Sequence, residues 1–277
     1  MGRSMAQLLL NAGHALHVHN RTREKAEPLL ASGAHWCNTP AAVAAAADVV
    51  VTIVGYPNDV EATYFGPSGI LSAVRPGAVL IDMTTSKPSL ALRIAEAARK
   101  NHAEALDAPV SGGDIGARDG RLSIMVGGDE KTLQQIMPIL EKLGTNIIHQ
   151  GGPGAGQHTK MCNQIAGAGT MLGVCEALAY AKKSGLDPHV VLSSISAGAA
   201  GSWTMSHLGP RMLDGDFAPG FYIKHFIKDM RIAIEAAEEM KLELPGLILA
   251  KTLYDKLAAK RCENDGTQAL FKYYLDR

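Results

Sequence analysis

A lysine near the start of a long apolar stretch has the surroundings needed for proton transfer. Lys160 follows the glycine-rich segment 151–156 and precedes Met161 and Ile165, a pattern that predicts a helix with an apolar face. The positive end of the helix dipole and burial among apolar neighbours would both disfavour a charged amine there. An amine whose charged form is disfavoured can exchange a proton with a substrate. The alternative is a solvent-facing lysine on an amphipathic helix.

An amide side chain follows on the same predicted helix face. Asn163 lies three residues after Lys160, and residues at this spacing are neighbours on the surface of a helix. Its amide group both donates and accepts hydrogen bonds. Asn163 is therefore expected to hold the same small polar group on which Lys160 acts.

Two differently patterned parts of the chain must position these side chains. In the first part, strand-like and helix-like segments alternate, and some strands, such as 48–54, are continuously apolar. This pattern predicts a largely parallel sheet with helices on both faces. After residue 156 the pattern is helical, with no convincing strand. We therefore expect an α/β domain of the Rossmann type over residues 1–152 and an all-α domain over residues 153–277.

Periodicity and turn signals give the expected elements of both domains. Strands are predicted over residues 15–19, 48–54, 78–82, 105–106, 122–127 and 146–149. Helices are predicted over residues 4–11, 23–31, 89–100, 131–143, 157–184, 188–196, 223–240 and 244–260. The helix over 157–184 is long and rich in glycine and alanine, which favours close contact with other helices.

Length, composition and charge fit a two-domain protein that binds small molecules. The chain has 277 residues, and 47% of them are hydrophobic, which is enough for two cores. Its 27 basic and 27 acidic side chains produce no large field that would attract nucleic acid or an anionic membrane surface. No apolar run reaches membrane-spanning length, and the N-terminal segment does not have the pattern of an export signal.

The cysteines and histidines point to neither disulfides nor a metal. The cysteines are far apart and form no CxxC pair, so we expect reduced thiols in a cytoplasmic protein. They are Cys37, Cys162, Cys175 and Cys262. The ten histidines show no H-E-x-x-H or similar spacing, so no metal site is expected. The alternating pair His17 and His19 is better explained by a loop or an edge strand.

The first residues match the end of a dinucleotide-binding turn. In a doubly wound domain, a strand leads through a G-x-G-x-x-G turn into a helix whose N-terminus holds a pyrophosphate. Gly2 stands where the last glycine of that turn would be, and the next helix, its stop at Gly13 and a strand follow in order. The first strand and the earlier glycines are missing, so we expect a natural start about ten residues upstream. An ordinary chain start before a helix is the alternative.

An arginine follows the second strand of this pattern. Asn20, Arg21 and Thr22 occupy the position where an acidic residue usually binds the adenosine ribose of NAD. An arginine instead suits the 2′-phosphate of NADP, through charge-assisted hydrogen bonds. The expected cofactor is therefore NADP, with NAD possible. The alternative is a solvated arginine in a loop between a strand and a helix.

Five sequence blocks together resemble the β-hydroxyacid dehydrogenase family, which includes 3-hydroxyisobutyrate dehydrogenase and tartronate semialdehyde reductase. In chain order, the blocks are residues 12–22, 82–85, 107–113, 154–163 and 225–230, and the resemblance extends from Gly2 to about Tyr274. It implies a Rossmann-type domain followed by a helical domain for substrate binding and dimerisation. It also implies NAD(P)-dependent interconversion of a small hydroxy acid and its semialdehyde or oxo form.

The resemblance implies specific roles on the substrate side. Ser111, Gly112 and Gly113 match the family's substrate loop, whose hydroxyl and backbone N–H groups would close on a carboxylate. Lys160 matches the catalytic lysine, which would protonate the nascent alkoxide during reduction and deprotonate the alcohol in the reverse direction. The family's substrate-holding amide falls three or four residues after that lysine, which leaves two candidates: Asn163 and Gln164.

The resemblance also implies roles on the cofactor side. Tyr56 and Pro57 follow the strand over 48–54, and Thr84 follows the next strand. Ligands bind at the carboxyl ends of parallel strands in such sheets. Lys228 would approach the nicotinamide from the helical domain, and its alternative is a surface lysine. For Tyr56 and Thr84 the alternative is ordinary loop composition.

Three other functions compete with this interpretation. An imine reductase shares the fold and the use of NADPH, but Lys160 argues against it. A 6-phosphogluconate dehydrogenase would need a longer chain and a cluster of basic residues for a sugar phosphate. A catalytically silent binding or assembly protein is supported by the missing first strand.

The expected partners are a small carboxylate substrate and further copies of the chain, as a homodimer or homotetramer, with neither nucleic acid nor membrane.

Overall fold

The computed structural model describes residues 1–275 and divides the chain into two compact units, Met1–Lys160 and Met161–Arg277. The first unit alternates strands and helices. Its strands are β1 (His17–Val18), β2 (His35–Trp36), β3 (Val49–Thr52), β4 (Val79–Asp82), β5 (Glu104–Asp107), β6 (Val110–Ser111), β7 (Leu122–Gly127) and β8 (Gly144–Gly151). Its helices are α1 (Gly2–Asn11), α2 (Glu27–Ala31), α3 (Pro40–Ala46), α4 (Pro57–Phe65), α5 (Pro88–Lys100), α6 (Gly113–Arg118) and α7 (Glu130–Leu140).

The strands of the first unit form two sheets. Strands β1 and β2 pair in parallel as a two-stranded sheet. The larger sheet has the order β3-β4-β5-β7-β6, with β8 also paired to β7. Strands β3, β4 and β5 are parallel, as are β7 and β8, whereas β7 runs antiparallel to β5 and β6. The expected Rossmann-type fold is confirmed, and the antiparallel position of β7 is the departure from a fully parallel sheet.

Hydrophobic side chains cover both faces of the larger sheet. Strand β4 is buried at all four positions, as expected for a central parallel strand. Alternate side chains of β4 enter different clusters: Val79 and Ile81 pack in a core with α1 and α7, and Leu80 packs in another with α4 and α5. The continuously apolar sequence of the strand follows from this burial on two sides.

The second unit is built from helices around one core. It contains most of α8 (Ala155–Lys183), followed by α9 (Pro188–Ser196), α10 (Trp203–Leu213), α11 (Ile223–Glu239), α12 (Pro245–Ala259) and α13 (Lys272–Leu275), with a short 3-10 helix at Thr267–Phe271. Residues 161–275 form no strand, and their one bridge joins Tyr222 to Gly266. The expected all-α domain is therefore confirmed. No helix in the described part of the chain is both long and apolar enough to span a membrane.

Candidate active site

The start of α1 lies directly against the end of strand β3. Gly2 is the first residue of α1, and a Cβ atom added to it would stand 2.8 Å from Cγ2 of Ile53. This distance is shorter than ordinary van der Waals contact, so a side chain here would displace Ile53. The absence of a side chain on Gly2 lets the helix N-terminus reach the carboxyl end of β3, the edge at which nucleotides bind in such sheets.

The loop after β1 presents an arginine to solvent. Asn20 donates from Nδ2 to the carbonyl oxygen of Thr22 at 2.7 Å, which closes the loop on itself. The Arg21 side chain is 88% exposed, and its Nη1 lies 3.4 Å from Oδ1 of Asp59. The guanidinium group therefore has donors available for an anion such as a phosphate.

Tyr56 and Pro57 initiate helix α4. Tyr56 occupies the N-cap position and Pro57 is the first helical residue, where its fixed φ suits a helix and its missing N–H is not needed. The backbone N–H of Tyr56 donates to Oδ2 of Asp59 at 3.2 Å. Asp59 thus links this turn to Arg21, and the structure brings two of the sequence-predicted cofactor segments together.

Thr84 joins the ends of strands β3 and β4 through a buried hydrogen-bond network. Its Oγ1 accepts from the backbone N–H of Val54 at 3.0 Å. Oδ1 of Asp82 accepts from the backbone N–H of Thr84 at 3.1 Å and from Oγ1 of Thr52 at 3.0 Å. Burial raises the pKa of the Asp82 carboxyl to about 6, against the opposing effect of these hydrogen bonds.

The raised pKa of Asp82 predicts a pH-dependent cost to folding. As the pH rises from about 4 to about 6, the unfolded chain releases a proton that folded Asp82 retains, so the free energy of unfolding falls. At about 1.4 kcal/mol per pKa unit, the loss amounts to about 3 kcal/mol. Asp82→Asn removes the titration, so urea denaturation at several pH values should show a weaker decline for the variant. Parallel pH profiles for the two proteins would contradict this prediction.

The predicted substrate loop forms a strand-to-helix turn. Ser111 ends β6 and pairs with Ser123 of β7, and Gly113 begins α6. Gly112 has a φ of 128° and Gly113 a φ of 66°, values that residues other than glycine rarely adopt. The backbone N–H groups of this turn therefore lie between Ser111 and the first turn of α6, and hydroxyl and N–H groups are donors of the kind that bind a carboxylate.

Lys160 lies in the second turn of α8 and is buried, with 6% of its surface exposed. The first turn of that helix is anchored to the sheet by Asp107, the last residue of β5. Oδ1 of Asp107 accepts from the backbone N–H of Gly154 at 2.7 Å, and Oδ2 accepts from the backbone N–H of Gln157 at 2.8 Å. The predicted burial of the lysine is therefore observed, at a helix N-terminus that a carboxylate caps.

In the second unit, a chain of polar contacts joins both candidate amides to Lys228. Asn163 donates from Nδ2 to Oε1 of Gln164 at 2.7 Å, and Gln164 donates from Nε2 to Oδ2 of Asp229 at 2.5 Å. Nζ of Lys228 lies 2.9 Å from Oδ1 of Asp229. Gln164, Lys228 and Asp229 are all buried, so Lys228 is not the surface lysine of the alternative interpretation.

Five polar residues of these networks were not predicted from the sequence as site residues: Asp59, Asp82, Asp107, Gln157 and Asp229. Each acts on a predicted site residue through a side-chain hydrogen bond or ion pair, or on the backbone that carries one. Among residues 1–275, no group of three or more His, Cys, Asp or Glu side chains is placed to hold a metal ion.

Comparison with known proteins identifies the family. Residues 1–152 match the NAD-binding domain of 6-phosphogluconate dehydrogenase, and residues 154–274 match the NAD-binding domain of NADP-dependent 3-hydroxyisobutyrate dehydrogenase. An uncharacterized oxidoreductase of Bacillus subtilis is 60% identical over 99% of this chain and 96% of its own length. The 2-hydroxy-3-oxopropionate reductase of Escherichia coli is 39% identical over 97% of this chain and 90% of its own.

A solved structure agrees with the sequence comparisons. The 3-hydroxyisobutyrate dehydrogenase of Mycobacterium tuberculosis, solved with L-serine, superposes with a TM-score of 0.91 and 31% identity, covering 99% of this chain and 95% of that one. The similarity extends over both units and exceeds what a shared fold alone would give. The chain belongs to the β-hydroxyacid dehydrogenase family and is an NAD(P)-dependent oxidoreductase of hydroxy acids and their semialdehydes.

Proposed function

We propose that this enzyme interconverts a small 3-hydroxy acid and its semialdehyde with Lys160 as the general acid and base. The burial of Lys160 near the capped N-terminus of α8 is the observation that carries this proposal. The nicotinamide of the cofactor supplies or accepts the hydride. During reduction, Nζ of Lys160 donates a proton to the oxygen that was the carbonyl oxygen, and in oxidation it removes the proton from the alcohol.

The turn at residues 111–113 is proposed to bind the substrate carboxylate. The Ser111 hydroxyl and the backbone N–H groups of Gly112 and Gly113 are the proposed donors, in the turn that joins β6 to α6. A fixed carboxylate orients the reacting carbon, which converts binding energy into a lower barrier.

Asn163 is proposed as the substrate-holding amide in preference to Gln164. Gln164 uses its Oε1 to accept from Asn163 and its Nε2 to donate to Asp229. Asn163 uses one N–H in that contact, which leaves its second N–H and its Oδ1 for substrate. Gln164 therefore acts by orienting Asn163.

NADP is the proposed cofactor, with NAD as a weaker alternative. Gly2 at the start of α1 and the exposed guanidinium of Arg21 fit an anionic dinucleotide, and Lys228 is the residue of the second unit proposed to contact it. The other residues proposed to contact it are Asn20, Thr22, Tyr56, Pro57 and Thr84.

Replacing Arg21 with aspartate should shift the cofactor preference from NADPH toward NADH. The change removes a charge-assisted hydrogen bond to the 2′-phosphate, worth about 1.5–3 kcal/mol, and adds a repulsive charge. We expect kcat/KM for NADPH relative to NADH to fall by about 10- to 100-fold, as measured by steady-state kinetics with both cofactors. Arg23→Asp is the matched control, because Arg23 is also exposed and lies over the Trp36 ring. An unchanged preference in Arg21→Asp would show that the 2′-phosphate binds elsewhere.

A panel of small acids tests the proposed reaction. Oxidation of NADPH is followed with tartronate semialdehyde, succinic semialdehyde and glyoxylate, and reduction of NADP with 3-hydroxyisobutyrate, with methyl esters of the same acids as controls. We expect turnover with at least one acid and a marked loss with its ester, because the ester lacks the carboxylate charge. Equal rates with acid and ester would contradict carboxylate binding, and a preference for an imine would favour the imine reductase alternative.

We also propose that the chain forms a homodimer or homotetramer in the cytoplasm. Large apolar side chains of the second unit are exposed, including Tyr180 at 74%, Val190 at 65% and Trp203 at 66%. Exposed apolar surface of this kind supports association with further copies of the chain. Light scattering in solution is expected to give a mass of two or four chains.

A further inference from the structure

We propose that Asp107 is a positioning residue, which fixes the first turn of α8 and thereby sets the position of Lys160. The proposal rests on the proton-transfer role of Lys160 proposed above. Its basis is that the Asp107 carboxylate accepts one backbone N–H with each oxygen, from Gly154 at 2.7 Å and from Gln157 at 2.8 Å. Gln157 precedes Lys160 by three residues, so the bonds hold the backbone less than one helical turn before the lysine.

The backbone of two neighbouring elements packs closely around Asp107. A Cβ atom added to Gly127 would stand 2.5 Å from Oδ1 of Asp107, and one added to Gly156 would stand 2.5 Å from the Asp107 carbonyl oxygen. Strand β5, the end of β7 and the first turn of α8 therefore meet by direct backbone packing. A movement of this carboxylate that keeps both hydrogen bonds must therefore move the first turn of α8 with it.

Gln157 provides a second connection from the same helical turn. Its Nε2 donates to the carbonyl oxygen of Thr84 at 2.7 Å, and its Oε1 accepts from the backbone N–H of Ser86 at 2.9 Å. Both partners lie in the segment after β4 and are buried. Asp107 thus fixes α8 to the end of β5, and Gln157 fixes it to the end of β4.

The charge of Asp107 matters because a neutral side chain cannot accept both bonds equally well. Burial raises its pKa to about 6, while the backbone N–H bonds from Gly154 and Gln157 oppose the shift. The facing carboxylate is Asp82 of β4, which interacts unfavourably with it. At neutral pH, Asp107 is a carboxylate that matches two N–H donors and the positive end of the α8 dipole.

The test uses Asp107→Asn in the intact 277-residue chain. Asparagine keeps the size of the side chain but places an N–H₂ group against one of the two backbone donors. We expect kcat to fall by about 10- to 100-fold, because a small displacement of a catalytic group is costly. NADPH affinity should change little. Hydrogen exchange of the backbone amides at residues 154 and 157 should accelerate, which provides a readout independent of activity.

Asp129→Asn is the matched control. Asp129 caps α7 and accepts from the backbone N–H of Thr132 at 2.8 Å, so the same substitution weakens a helix cap that carries no proposed site residue. Its kcat should remain at the wild-type level. A loss of kcat in Asp129→Asn equal to that in Asp107→Asn would overturn the proposal, because cap loss in general would then explain the effect.

A double-mutant cycle with Lys160→Ala separates positioning from a general structural role. If Asp107 acts through Lys160, Asp107→Asn should lower kcat only when the lysine is present. An equal fold-loss in the Lys160→Ala background would overturn the proposal. If Lys160→Ala itself retains full activity, the proposed function fails instead, so the two failures are distinguishable.

Gln157→Glu is a second variant in case Asp107→Asn does not fold. It keeps the acceptor for Ser86 but places an oxygen where a donor faces the Thr84 carbonyl oxygen. We expect the same pattern of lower kcat with little change in NADPH affinity, lost in the Lys160→Ala background. An unchanged kcat in a folded Gln157→Glu variant would contradict positioning through this helical turn.

Discussion

Replacing Lys160 with alanine is expected to lower kcat by about 10²- to 10⁴-fold while NADPH binding changes little. Alanine removes the proposed proton donor, so the oxygen of the reduced carbonyl would have to take its proton from water. The side chain is buried, which limits the access of water as a substitute. Steady-state kinetics measures the loss, and fluorescence titration with NADPH measures retained cofactor binding.

Two further variants define what the loss in Lys160→Ala means. Lys183→Ala is the matched control, because Lys183 is an exposed lysine in the last turn of the same helix. Lys160→Arg keeps the positive charge but cannot exchange its proton, because an arginine stays protonated in proteins. Near-wild-type activity of Lys160→Arg would show that Lys160 contributes charge and not proton transfer.

Replacing Lys228 with methionine is expected to lower the free energy of unfolding by about 3–5 kcal/mol. The Lys228 and Asp229 side chains are 5% and 2% exposed, and Nζ lies 2.9 Å from Oδ1. In the variant, the buried Asp229 carboxylate loses the opposite charge and keeps the hydrogen bond from Nε2 of Gln164. Because the carboxylate is buried, water does not replace the lost opposite charge, and the free energy of the folded state rises. Urea denaturation measures the change.

The control for this prediction is another lysine of α11. Lys224 donates from Nζ to Oδ1 of Asn264 on the exposed surface at 2.7 Å, so Lys224→Met should cost far less. Lys228→Met combined with Asp229→Asn should recover part of the stability lost by Lys228→Met alone, because the unpaired charge is removed. Equal losses in Lys228→Met and Lys224→Met would refute a stabilising role for the buried pair.

Elements with a strong local pattern were predictable from the sequence. Strand β7 and helix α9 have the predicted bounds, because a continuous apolar run and a capped, periodic segment fix them locally. Helix α3 was not predicted because it consists mainly of small side chains, which have little periodicity. Strands β2 and β6 have two residues each and depend on pairing with distant strands.

The same difference between local and remote interactions decides which residues of the candidate site could be predicted. Lys160 and the turn at residues 111–113 have local sequence signatures, and both segments occupy helix N-termini in the structure. The residues that support the site do not have such signatures, because their partners are remote in sequence. Asp107 bonds to Gly154 over 47 residues, and Gln164 bonds to Asp229 over 65 residues. An acidic residue at the end of an apolar strand was the one available signal for Asp107.

The transfer of deuterium from the cofactor to substrate tests the central claim most directly. The enzyme is incubated with the semialdehyde that turns over fastest and with NADPH that carries deuterium at the transferable position of its nicotinamide. We expect a hydroxy acid with one deuterium on the carbinol carbon, formed by the wild-type enzyme and almost absent with Lys160→Ala after the same reaction time. A product without deuterium, or equal deuterium transfer by the two proteins, would contradict this expectation.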